Sequence, residues 1–229
     1  MKVALIDYGI GNLRSVQKAL EYVGAQVALT DDPQAILSAD KVVLPGVGAF
    51  GDGMKGLRVR GLDEVVKEAV RVGKPLLGIC VGMQVLFESS EELGEHEGLG
   101  VLPGRVLKFP VRSGRLRVSR PGREATCPKG VLRKVATTGT KLKVPHTGWN
   151  QIEPQKDSPL FHGLPIGSFA YFNHSYYCAA QPDDTLATTD YGGPYPSIVG
   201  RGCVYGIQFH PEKSQSVGLT LLRNFVEQG

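Results

Sequence analysis

No run of apolar residues in the chain is long enough to cross a bilayer. Met1-Lys2 leads straight into Val3-Ala4-Leu5-Ile6, too short for the apolar region of an export signal, so a cytoplasmic protein without membrane contact is expected. Cysteine is scarce. Cys80, Cys127, Cys178 and Cys203 lie far apart with no C-x-x-C pair, which argues against a disulfide framework and against a zinc knuckle. No metal and no cofactor are expected. Tryptophan occurs once, at Trp149, and no internal repeat is visible. Net charge is only +4, yet Lys108 to Lys143 holds eleven Lys or Arg against Glu124 alone, so the rest of the chain is acidic. Aromatic residues are not interleaved with those charges, and nucleic acid is not the expected partner. What is present, 41% hydrophobic and 21% charged residues over 229, suffices for one core without staples. One domain over 1–229 is expected, with a basic insertion at about 111–143.

The first ninety residues alternate strand and helix patterns. Lys2 to Asp7, Gln26 to Leu29, Lys41 to Leu44 and Pro75 to Ile79 read as strands; Asn12 to Val23, Gly61 to Val72 and Val81 to Ser90 read as helices. Alternation at this pitch implies right-handed crossovers and an α/β fold: an open twisted sheet, mixed but mostly parallel, with helices on both faces. After about Gly98 shorter strands take over (Gly100 to Phe109, Asn150 to Glu153, Ser168 to Tyr171, Tyr176 to Ala180, Leu186 to Thr189, Ser197 to Val199, Val204 to Gln208), which predicts a mixed or antiparallel extension. Val217, Leu221, Leu222 and Phe225 give the last segment, Ser214 to Val226, one apolar helical face.

Within this pattern Gly78-Ile79-Cys80-Val81-Gly82 sets one cysteine on a glycine-flanked turn at the carboxyl end of a buried strand. Such a turn lifts a nucleophile above the sheet and surrounds it with unpaired backbone N–H groups. The competing reading is a buried cysteine between packing glycines. A thiolate needs a base and an orienting group. His210-Pro211-Glu212 follows the strand Tyr205 to Phe209, so His210 also stands at a strand end, and ligands of open α/β sheets collect outside those ends. Glu212 can turn back onto the imidazole. Alone, the motif reads equally as a histidine in a proline turn beside a solvated glutamate; the pairing with Cys80 favours chemistry.

An oxyanion pocket is available from Pro45-Gly46-Val47-Gly48, after the strand Lys41 to Leu44, where two glycines are free to take unusual dihedrals. Val47 and Gly48, with the amide of Val81, would supply the donors; a tight loop with packing glycines is the alternative. His96 lies among glutamates in what reads as a solvated loop, and His162 in a Pro-Gly turn. Gly9-Ile10-Gly11 touches the dinucleotide fingerprint, but Arg14 stands in place of its third glycine; Asn12 reads better as a helix N-cap.

Gly78 to Gln84 together with His210-Pro211-Glu212 resembles the class I triad glutamine amidotransferases over almost the whole chain. Asp7-Tyr8-Gly9-Ile10-Gly11-Asn12, Pro45 to Gly48, Pro145-His146-Thr147-Gly148-Trp149-Asn150 and His210 to Ser214 resemble, within them, the family of glutaminase subunits of imidazole glycerol phosphate synthase. The resemblance implies hydrolysis of L-glutamine and delivery of ammonia to a (β/α)8-barrel cyclase subunit. It implies Cys80 as nucleophile, His210 as proton shuttle and Glu212 as its orienter. It implies Gln84, Glu92, Ser175 and Tyr176 as substrate contacts, Glu92 toward the substrate ammonium, and His174 as structural. Asn12, Trp149, Asn150 and Lys213 are implied at the partner interface. Other triad systems such as the vitamin B6 synthase glutaminase, a cysteine peptidase of similar fold, and a binding module with an idle triad remain as alternatives. The basic stretch departs from the family pattern and reads as a solvated insertion or as an arm toward an acidic partner or a phosphorylated intermediate.

Overall fold

The computed structural model describes residues 1–109 and 142–228. Cys127 and nearly all of the basic insertion lie outside the described residues. Four βα steps open the chain: β1 (Lys2–Ile6), α1 (Leu13–Tyr22), β2 (Gln26–Thr30), α2 (Pro33–Ser38), β3 (Lys41–Leu44), α3 (Phe50–Val59), α4 (Leu62–Arg71), β4 (Leu76–Ile79) and a single helical turn, α5 (Val81–Gln84). Then come β5 (Phe87–Ser90), β6 (His96–Glu97), β7 (Leu102–Lys108), β8 (His146–Gln151), β9 (Glu153–Pro154), β10 (Phe169–His174), β11 (Tyr176–Ala180), β12 (Thr185–Asp190), β13 (Pro194–Arg201), β14 (Val204–Ile207) and α6 (Gln215–Gln228).

The main sheet runs β2-β1-β3-β4-β14-β13-β12-β9, parallel from β2 to β14 and antiparallel beyond. β3 and β4 are buried on every residue, as strands covered on both faces must be. α1 packs with α6, and α4 with α2 and α3, two helical layers flanking the sheet. Two smaller sheets, β10-β8 and β11-β7-β5-β6, stand beside the carboxyl ends of the parallel strands. The mixed sheet and its antiparallel extension match the sequence expectation.

Three local expectations need correction. The helix read over Val81 to Ser90 stops at Gln84, and Phe87–Ser90 is a strand. Helical periodicity cannot see that the Leu86 carbonyl takes the amides of Val101 and Leu102, that Phe87 is fully buried, and that β5 pairs in parallel with β7. α2 was not foreseen, although its signal was present: Asp32 accepts from the Gln34 and Ala35 amides, with Pro33 at the first helical position. α3 hides behind three glycines in FGDGMKGLRV. Asn12 does occupy the N-cap position of α1, but its side chain makes no capping bond.

Candidate active site

The turn after β4 positions the nucleophile. Cys80 adopts φ 55° and ψ −112°, a left-handed conformation that a residue with a Cβ takes only when its surroundings impose it. The surroundings do: the Cys80 amide donates to Ile207 O of β14 at 2.8 Å, and the Cys80 carbonyl accepts from Gln84 N at 3.0 Å, starting α5. Gly82 packs so closely on β3 that a Cβ there would lie 1.8 Å from Leu44 O. The strain therefore sits on the cysteine itself, and Gly82 serves by leaving space.

β14 lies beside β4 in parallel register, Ile207 opposite Ile79, so the chain leaving β14 arrives at the same sheet edge as Cys80. His210 Nδ1 lies 3.1 Å from Glu212 Oε1, and the same ring interacts with the Cys80 side chain. Burial, the largest single influence, would lower the imidazole pKa; the hydrogen bonds and charges of Cys80 and Glu212 together outweigh it and raise it to about 10. The Glu212 side chain is buried, and its Oε2 finds no hydrogen-bond partner among the described residues, so His210 is what that carboxylate serves. The turn is anchored to β10: His210 N donates to Tyr171 O, Tyr171 N donates to Ser214 Oγ, and Ser214 Oγ donates to the His210 carbonyl.

Cys80 and His210 face a cavity of about 120 Å³ that Val47, Gly48, Val81, Gln84, Glu92, Ser175, Tyr176 and Lys213 also line, together with Asn173 and His174. Every residue expected at the triad, the oxyanion loop and the substrate pocket is thus brought to one place. Gly48 has φ +97°, a conformation for which glycine is needed, whereas Gly46 is required for space, a Cβ there falling 2.6 Å from Gly82 N. The 45–48 loop is held before and after: the Tyr8 hydroxyl donates to Pro45 O, and Glu92 Oε2 accepts from Phe50 N at 2.7 Å. Burial raises the Glu92 carboxyl pKa, with Asp52 adding to the rise and the Phe50 amide and His96 opposing it. His96 is not in a solvated loop; it lies on β6, half-buried, with its ring against Phe50.

Gln84 is buried, and its carboxamide nitrogen is fully used, donating to Tyr176 O at 3.2 Å and to Gln208 Oε1 at 3.3 Å. Gln208 is the polar residue that sequence reasoning passed over. It is fully buried near the end of the apolar run Tyr205 to Phe209, and its amide nitrogen is 4.0 Å from Cys80 Sγ. A glutamine one residue beyond the buried strand β14, two residues before His210, was the available signal. Among the expected interface residues, Trp149 is 48% exposed and meets the Tyr171 ring edge-on, and the Lys213 ammonium lies over the ring of the same tyrosine. α1, whose N-cap is Asn12, abuts the Pro211–Lys213 turn. Asn150 differs: its side chain is bonded to His146, Asp190 O and the Gln151 amide.

His146 and His174 are buried and unprotonated. Burial lowers His146 to about 4, and burial, aided by the charges of His146 and His210 and opposed by the bond to Tyr176 O, lowers His174 to about 3. Below the ordinary histidine value the unfolded chain gains protons that the folded chain refuses. Stability should therefore fall as pH drops from about 6.5 toward 4, by about 1.4 kcal/mol per pH unit for each ring. Urea unfolding at a series of pH values reads this slope; a midpoint that stays level between neutrality and pH 5 would contradict two neutral buried rings.

A sulfur on a strained turn, an imidazole set between it and a buried carboxylate, and a small cavity over them lined by the Val47–Gly48 loop define a cysteine-dependent acyl-transfer enzyme of the triad type. The glutamine amidotransferase class-I family model matches residues 4–228. An imidazole glycerol phosphate synthase subunit HisH of Salinibacter ruber is 50% identical over 96% of this chain and 92% of its own, and one of Symbiobacterium thermophilum is 47% identical over 98% and 92%. The chain belongs to the HisH family of class-I glutamine amidotransferases. A PurLQS structure from Thermotoga maritima superposes with a TM-score of 0.68, covering 98% of this chain and 97% of that one, at 17% identity, which speaks for the fold alone.

Proposed function

We propose that this chain is the glutaminase subunit of imidazole glycerol phosphate synthase, hydrolysing L-glutamine and passing ammonia to a (β/α)8-barrel cyclase subunit. The observation that carries the reading is the order of groups at the cavity: Cys80 sulfur, His210 ring, Glu212 carboxylate. In the proposed reaction the Cys80 sulfur attacks the glutamine carboxamide carbon, and the proton held by His210 passes to the departing nitrogen, which leaves as ammonia. Water, deprotonated by His210, then cleaves the thioester to glutamate. Glu212 holds the ring with its proton-bearing side toward the sulfur. The amides of Val47 or Gly48 and of Val81 stabilise the tetrahedral oxyanion.

Glu92, with one oxygen on the Phe50 amide, takes the substrate ammonium, and Ser175 and Tyr176 offer the strand end for its α-carboxylate. Trp149, Lys213 and Asn12 mark the rim on which the cyclase docks; an exposed aromatic beside a cation is what interfaces favour. One domain over 1–229, with the basic insertion as an appendage, and a cytoplasmic location complete the proposal. The described residues include no helix long and apolar enough to cross a membrane.

Glutamate release by the purified chain tests it, measured alone and with a cyclase barrel and the barrel's ligand. Slow turnover alone and a rise of about 100-fold or more in the complex, the worth of one well-placed oxyanion donor, is the expected result. Turnover that never appears in the complex would reject it.

A further inference from the structure

His146 and His174 take no part in the proposed chemistry, yet they lie on the path between the Trp149 rim and the cavity wall. Five hydrogen bonds run through them, and the chemistry of the end groups fixes the direction of each. Asn150 Oδ1 accepts from Gln151 N at 2.8 Å, so its Nδ2 is the amino side; Nδ2 lies 2.9 Å from Asp190 O and 3.2 Å from His146 Nε2. A carboxamide nitrogen only donates, so His146 Nε2 must be the bare nitrogen and Nδ1 must carry the hydrogen. At the other end His174 Nδ1 is 2.8 Å from the Tyr176 carbonyl, which only accepts, so His174 also carries its hydrogen on Nδ1 and presents a lone pair at Nε2.

These two assignments meet correctly in the middle. His146 Nδ1 is 3.2 Å from His174 Nε2, donor facing acceptor, and the buried Tyr195 hydroxyl stands 3.2 Å from each, able to accept from the first and donate to the second. The ring of His146 is clasped between Tyr191 and Phe172, with centroids at 3.9 and 4.8 Å and both nearly parallel to it, so it cannot turn over without unpacking them. Every donor in the series points the same way, from Asn150 on β8 to the carbonyl of Tyr176 at the start of β11.

That carbonyl is shared. It also accepts from Gln84 Nε2, whose second hydrogen goes to Gln208, and Gln208 reaches back to the Cys80 sulfur. We propose that His146 and His174 are positioning residues: a one-way relay of Nδ1-protonated imidazoles, read off Asn150, that fixes the Tyr176 carbonyl and through it the Gln84 wall of the cavity. The idea deepens the glutaminase reading and rests on it for the identity of the molecule this wall meets.

Two measurements test it on the full chain. Nitrogen-15 spectra of the histidine rings should give both in the Nδ1–H form, and the Gln84 side-chain amide signals should move in His174→Leu and return toward their places in His174→Asn, whose Nδ2 can stand where Nδ1 stood. Kinetics in the complex with the cyclase should then show KM for glutamine raised about tenfold in His174→Leu, the worth of one buried hydrogen bond, kcat changed much less, and KM largely restored in His174→Asn. Nε2–H tautomers, or Gln84 signals indifferent to residue 174, would overturn the relay whether or not the chain turns glutamine over. An absence of turnover in the wild-type complex would count against the glutaminase reading alone, with the spectra still deciding the relay. If His174→Leu does not fold, His146→Leu gives the same comparison one step further from the wall; a KM there equal to wild type, with unmoved Gln84 signals, would also overturn it.

Discussion

Cys80→Ala should lose glutamine hydrolysis by at least about 10⁴-fold, the loss typical of removing the nucleophile from a triad, with binding of the cyclase retained. The geometry adds a sharper expectation about stability. Cys80 is held at φ 55° by bonds that involve only its backbone, so alanine inherits the same unfavourable dihedral and should melt close to wild type. Cys80→Gly removes the steric cost and should melt higher than Cys80→Ala, although equally inactive. The ordering Gly above Ala in melting temperature, with neither forming a glutamyl adduct by mass spectrometry, would establish that the turn is strained for the sake of the sulfur. Turnover persisting in either variant within tenfold of wild type would refute the assignment of the nucleophile.

Gly82→Ala should be the most damaging change of a single methyl group. A Cβ at residue 82 would fall 1.8 Å from Leu44 O and 2.7 Å from Leu44 C, backbone atoms of β3 with no rotamer to yield. Relief requires β3 and the elbow to separate. The expected cost is at least about 3 kcal/mol, or roughly 10 °C in melting temperature for a chain of this size. Activity should fall further than stability alone explains, since the displaced strand leads directly into the Val47–Gly48 amides, and misplacing one oxyanion donor costs about 100-fold or more. Gly73→Ala is the control: φ is +77° there but no atom lies within 4 Å of its Cβ, so it should lose only about 1 kcal/mol and keep full turnover. Equal melting temperatures for the two variants would show that the close approach at Gly82 does not constrain the fold.

These two positions also show how far the sequence could be read. The alternation of strand and helix patterns revealed the parallel half of the sheet, because each βα step states its own period. The convergence of Cys80 and His210 followed from both standing at carboxyl ends of strands. Which atom bears the strain did not follow. Glycines flanking Cys80 read as the flexible points, but the structure gives the left-handed dihedral to the cysteine and asks only for space at Gly82, a requirement set by a strand nearly forty residues earlier in the chain. The end of α5 at Gln84 was likewise invisible, since it depends on β7 taking Phe87–Ser90 as a neighbour. The buried relay needed three-dimensional contact as well: the resemblance implies Asn150 at the partner interface, and no sequence signal showed that its amide is also bonded to His146 and Asp190 O. Gln208 was missed because the catalytic signal was sought in the histidine that follows it.

The segment between Pro45 and Phe50 is secured at its two extremities, by the Tyr8 hydroxyl on one carbonyl and by Glu92 on one amide, while the Val47 side chain between them is 38% exposed. A span fixed at both bearings confines any backbone change to the Val47 and Gly48 peptide units, the part of it that lines the cavity with Cys80. One of those bearings is the carboxylate proposed to greet the substrate's amino group, so a single side chain ties that proposed contact to the first residue of α3.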